Sequence, residues 1–132
     1  MIAPARRAAY DVLRAVSEGT RDLPNALAVS RDALRDPRDR ALASEIAIGV
    51  LRWRGALDAM IEKLAQRPLK KLDAEVVDIL RLAVYQLWHL QRVPRPAVVN
   101  DAVNCRAAFG LTSLTPYHLA RAGENKNLPA KR

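Results

Sequence analysis

The stretch DAEVVDILRLAVYQLWHL, residues 73–90, decides the fold. Projected at 100° per residue, Val76, Val77, Ile79, Leu80, Leu82, Ala83, Val84, Leu87, Trp88 and Leu90 point in nearly every direction. A helix apolar all round is a buried central helix, so other helices must surround it. Asp73 stands where an N-cap would open it. Asp78 and Arg81, three residues apart, share the remaining polar side and are spaced to pair.

Working outward, prolines punctuate the starts of the other helices. Pro4, Pro24, Pro37 and Pro94 each lie at or near a first turn, where a missing N–H costs nothing. The spacing predicts a first helix over 4–18, stopping near Gly19, with Ala9, Val12, Leu13 and Val16 as its apolar stripe. A second runs over 24–34 with Leu23, Leu27 and Leu34 inward. Asp36 caps a third from Pro37, carrying Leu42, Ile46, Val50 and Trp53. Gly49 falls inside that apolar arc at a cost of ~1 kcal/mol relative to Ala; a close helix contact or simple tolerance would each account for it. Gly55 marks a break, a fourth helix covers 56–66, and Lys70 and Lys71 follow in a loop. A sixth helix spans 94–109 and ends at Gly110.

Composition agrees with an all-helical bundle of about six helices. The 132 residues include 23 Ala and 18 Leu against 11 Val, 5 Ile and 3 Thr, so strong helix formers dominate. There are 22 basic and 14 acidic residues, a net charge of +8, and 17 of the bases are arginine. Such a balance suits a polyanion, because guanidinium pairs with phosphate bidentately; a merely soluble Arg-rich protein is the competing reading. Arg6, Tyr10 and Arg14 are spaced four and four, with Arg7 beside them. That is an exposed face with three guanidiniums and a stackable ring, a format suited to single-stranded RNA, or else a solvated face with Tyr10 at the core margin. Lys70 with Lys71, and Arg92 with Arg95, are further basic clusters.

Signals for chemistry are absent. Five scattered glycines build no phosphate-cradling loop, and His89 and His118 have no metal-ligand spacing. His89 reads as a surface or capping residue and the single cysteine, Cys105, as core packing. No catalytic residue, cofactor or metal is expected. With one cysteine, no apolar run of ~18 residues and no signal pattern, the expected location is the cytoplasm, without membrane binding.

Two segments carry a resemblance. RDRALASEIAIGVLRWRGALDAMI (38–61) and LRLAVYQLWHLQRVPRPAVVNDAV (80–103) resemble the NusB family, over about 5–110 in all. Within it they are closest to the N-terminal domain of bacterial small-subunit rRNA cytosine-C5 methyltransferases of the Sun or RsmB type. Leu51-Arg52-Trp53 before Leu57-Asp58, Arg67-Pro68-Leu69 before Leu72-Asp73, and Arg92-Val93-Pro94 before Ala97-Val98-Val99-Asn100 favour that branch. The resemblance implies a helical RNA-binding domain over 4–110, with Arg6 and Arg7 at the place where an Arg-rich segment contacts single-stranded RNA. It implies either a catalytic methyltransferase domain, using S-adenosylmethionine and a cysteine nucleophile, as a covalent neighbour, or a ribosomal-protein partner in transcription antitermination. Cys105 matches no catalytic motif. The RNA-binding residues expected are Arg6, Arg7, Tyr10, Arg14, Lys70 and Lys71.

The departure comes at the end. From Leu111 to Arg132 the sequence LTSLTPYHLARAGENKNLPAKR matches nothing in the family pattern, so 111–132 is expected to be an irregular, disordered tail in place of a final helix. A shifted frame, a truncated gene and a divergent end are the readings open. On the sixth helix Val98, Ala102, Cys105 and Phe109 form one apolar stripe and Val99, Val103 and Ala107 a second, an arc of roughly 200° where one neighbour needs ~100°. The expected outcome is an uncovered apolar patch of several hundred Å² and a marginal or self-associating chain. Thermal unfolding checks it: a sharp, concentration-independent transition from a monomer that binds no hydrophobic dye would show the tail covering the core.

Overall fold

A computed structural model describes residues 2–90 and 93–108. Among them are six helices and no strand: α1 (Pro4–Glu18), α2 (Leu23–Ala33), α3 (Pro37–Arg52), α4 (Arg54–Ala65), α5 (Ala74–His89) and α6 (Arg95–Ala108), with one 3-10 turn at Leu69–Lys71. The chain is an all-α bundle. Residues 109–132, and with them the expected tail and patch, lie outside the described residues.

The helix ends follow local chemistry. Gly19 closes α1 in the left-handed region (φ 74°), a conformation that costs glycine little. The Thr20 N–H then donates to the Ala15 carbonyl and the Gly19 N–H to that of Val16, which satisfies two terminal carbonyls. Asp22 and Asp36 cap α2 and α3, their carboxylates accepting from the N–H of Asn25 and of Arg38. Asp73 occupies the N-cap position of α5, but its side chain makes no capping hydrogen bond.

As its sequence requires, α5 is central. Every residue from Val76 to Trp88 is buried, and α1, α3, α4 and α6 all pack against it. Each large aliphatic side chain so enclosed contributes about 1.5–3 kcal/mol relative to exposure. The α1 stripe behaves as expected, with Ala9, Val12 and Leu13 buried against α2, α3 and α5.

One boundary differs from the sequence reading in its cause as well as its place. The turn between α3 and α4 falls at Trp53, so Gly55 lies inside the first turn of α4 rather than breaking the chain. The cause is an aromatic cluster. The Trp53 ring sits 5.5 Å from that of Trp88 and 5.2 Å from that of His89, which fixes where the backbone must turn. His89 is accordingly no surface residue. Half-buried, it stacks on Tyr85 at 4.8 Å and meets the edge of Trp88 at 4.0 Å. Lys70 and Lys71 lie, as expected, in the connection between α4 and α5, where the chain takes one 3-10 turn.

Gly49 is explained by contact. A Cβ built there would fall on the Tyr85 ring, which lies directly against the α3 backbone. Gly49→Ala should therefore destabilise by about 1–3 kcal/mol through overpacking despite the better helix propensity of alanine. Urea unfolding checks this, and in a Tyr85→Ala background the same substitution should cost nothing.

Candidate nucleic-acid interface

Folding divides the basic residues into those held inside the bundle and those left on its rim. Arg6, Tyr10 and Arg14 do share one face of α1, but that face is turned onto α5. Arg6 is buried, its Nε donating to Gln86 Oε1 at 2.7 Å and its Nη1 to Asp101 Oδ2 at 2.6 Å. The Ala3 N–H donates to the same Asp101 oxygen at 3.2 Å, so α6 is tied in as well. Tyr10 is 3% exposed and belongs to the main core. The expected exposed ring and guanidinium are thus interior groups. The physical reason is the partner helix, whose Gln86 and Asp78 give the α1 arginines acceptors that water would otherwise supply.

Arg14 stands at the border. Its Nη1 donates to Asp78 Oδ2 at 2.9 Å and its Nη2 to Glu18 Oε1 at 2.7 Å, with Glu75 3.6 Å away. Asp78 also accepts from Arg81 Nη1 at 3.1 Å, as the spacing predicted. Arg81 in turn makes two bonds to Asp58 on α4, at 2.7 and 3.0 Å. Burial opposes the charge of both arginines, but the bonds and charges of Asp78 and Glu18 around Arg14, and of Asp58 and Asp78 around Arg81, raise their pKa values above the ordinary guanidinium value. Both remain charged.

Arg7 is exposed and pairs with Asp11 one turn on, at 3.3 Å. Between Gly49 and Leu72 six cations, Arg52, Arg54, Lys63, Arg67, Lys70 and Lys71, stand against Asp58 and Glu62 alone, and Asp58 is engaged by Arg81. No ion pair among the described residues engages Arg54, Arg67, Lys70 or Lys71. Arg54 and Lys70 both line a groove of about 490 Å³ where α1, the α3–α4 turn, the 3-10 turn and the start of α5 meet. Arg14 and Arg81 line it too, with Asp78 as the one carboxylate. Of the residues expected from the sequence, Arg14 and Lys70 line this groove and Lys71 lies beside Lys70 in the 3-10 turn, whereas Arg54 and Arg81 were not named as site residues. The signal was the Arg52-Trp53-Arg54 triplet, because a tryptophan seated in an aromatic cluster turns its flanking arginines outward.

Among the described residues no group of three or more His, Cys, Asp or Glu could hold a metal ion, and no helix is long and apolar enough to cross a membrane. Cys105 lies within α6, and its side-chain surroundings are outside the described part. Arg95 is exposed at the start of α6, while Arg92 is outside the described residues.

The NusB family model matches residues 3–115. The ribosomal RNA small subunit methyltransferase B of Pseudomonas putida is 37% identical over 100 residues, which is 76% of this chain and 22% of that protein. Its counterpart in Xanthomonas campestris is 37% identical over 103 residues, 78% of this chain and 24% of that protein. The transcription antitermination protein NusB of Sorangium cellulosum is 31% identical over 107 residues, 80% of this chain and 76% of that one. The chain thus spans about a quarter or less of the methyltransferases it matches, corresponding to their N-terminal NusB-like domain.

The two classes of arginine should separate in stability measurements. Asp78→Ala leaves two largely buried guanidiniums short of an acceptor and should cost about 3–5 kcal/mol in urea unfolding. Arg7→Ala, at an exposed pair, should stay within about 0.5 kcal/mol of the parent.

Proposed function

The chain belongs to the NusB family, and we propose that it is a non-catalytic RNA-binding domain of the kind that precedes the catalytic part of an rRNA methyltransferase. One observation carries the reading: in a domain whose relatives are named for ribosomal RNA, the groove at the α3–α4 turn is lined by four cations and one carboxylate. Phosphates would be met by Lys70, Lys71 and Arg54 on the rim and by Arg7 on the outer side of α1, with Arg14 forming the groove wall. Arg6 and Tyr10 serve this only indirectly, by seating α1 on α5. Methyl transfer from S-adenosylmethionine would belong to the length of the relatives that this chain does not span, and the natural protein partner is that catalytic domain. The setting is the cytoplasm.

A second reading rests on one observation, the 76% of the Sorangium cellulosum antitermination protein that the chain covers. It would be an assembly factor that joins RNA to a ribosomal protein.

Binding of a single-stranded ribosomal RNA segment, followed by fluorescence anisotropy against salt, tests the proposal. Three to five phosphate contacts give a log–log slope of about −2 to −3.5, since each contributes about 0.7 on a single strand. Replacing Lys70 and Lys71 together by alanine should flatten the slope by about 1.4. Absence of binding at low salt, or a flat salt response, overturns the proposal. Affinity that rises only when a ribosomal protein is added favours the second reading.

A further inference from the structure

The groove that carries the proposed function has a floor as well as a rim, and the floor is apolar. Leu13, Val50 and Val77 form its base, all buried, and Leu51, Leu69 and Leu72 stand half-buried along its sides. Phosphate binding alone does not call for such a floor, because phosphates are met at the surface by exposed cations. At about 490 Å³ the space falls within the range of about 300–1,000 Å³ in which small molecules are held.

We infer that this groove receives one unstacked base of a single-stranded RNA, with the aliphatic floor beneath the base and the cationic rim on its phosphates. The inference rests on the RNA-binding reading and specifies what that site takes. Two kinds of cation divide the work. Arg14 and Arg81 line the groove and are held by Asp78, with Glu18 bonded to one and Asp58 to the other, so their guanidiniums are fixed groups beside which a base can lie. Arg54 and Lys70 have no carboxylate partner among the described residues and supply the charge that the phosphates neutralise. No aromatic ring lines the groove, so the base is enclosed by aliphatic and guanidinium surfaces instead of joining a stacking platform. A duplex is excluded, because its bases are already stacked and paired.

The test compares a ten-nucleotide single strand, a strand of the same length lacking its bases, and the matching duplex, each titrated with the whole chain. Ser17, exposed at the mouth of the groove in the last turn of α1, offers a way to fill it: Ser17→Trp places an indole over the floor and leaves every rim cation in place. The intact strand should bind roughly ten- to hundredfold more tightly than the baseless one, the range that burying a base contributes. Ser17→Trp should reduce the intact strand to the baseless level with the salt slope unchanged, and Leu69→Ser, in the 3-10 turn, should act in the same direction if the tryptophan variant fails to fold. Equal binding of intact and baseless strands, or an intact strand indifferent to both variants, overturns the inference; a steep salt slope in that result leaves the RNA-binding reading standing. Binding of neither strand at low salt removes both.

Discussion

One carboxylate sets the geometry of the bundle. Asp78 lies 2% exposed in the middle of a helix that is otherwise apolar in nearly every direction. A charge so placed is tolerable only when paired and hydrogen-bonded. Arg14 reaches it from α1 and Arg81 from its own helix, and Arg81 passes the connection on to Asp58 in α4. Three helices are therefore locked at one level. Apolar faces alone would accept a slip of one turn with modest loss, whereas a guanidinium that must find its carboxylate fixes both rotation and register.

A second lock of the same kind lies two turns along. Arg6 and Arg14 are eight residues apart on α1, and their partners Gln86 and Asp78 are eight residues apart on α5, in reverse order. Equal spacing in opposite directions is the signature of antiparallel helices in register. Tyr10 and Leu82, at the midpoints of these spans, are both buried and both line one small cavity between α1, α5 and α6. Polar ends with an apolar middle give an interface that is specific at its edges and cohesive at its centre.

That pattern also explains what could be read in advance. The limits of α1 and the starts of α3 and α5 followed from proline, aspartate and glycine at helix ends, and the burial of α5 from its projection. The shared face of Arg6, Tyr10 and Arg14 was legible too, but not what the face meets. Periodicity assigns residues to a side of a helix, and a polar side is taken for a wet one unless a polar partner can be found elsewhere. Here the partner was present as Asp78 and Gln86, at matching separation. The α3–α4 turn was misplaced for a related reason: Gly55 is the stronger local signal, but the nonlocal seating of Trp53 on Trp88 decided it. Of the candidate site, Lys70, Lys71 and Arg14 were legible from charge, while Arg54 and Arg81 depend on a tertiary arrangement.

The lock at Arg6 has a consequence in time. Its carboxylate partner, Asp101, is 95 residues further along the chain, and Gln86 is 80. At a synthesis rate of about 5–20 residues per second, α1 leaves the ribosome roughly 5–20 s before α6 exists. During that interval it can settle against α2 and α3 through its apolar stripe and Arg14 can pair with Glu18 in its own helix, but Arg6 still lacks its carboxylate. The helix α1 is thus made well before α6, which supplies the carboxylate that secures it.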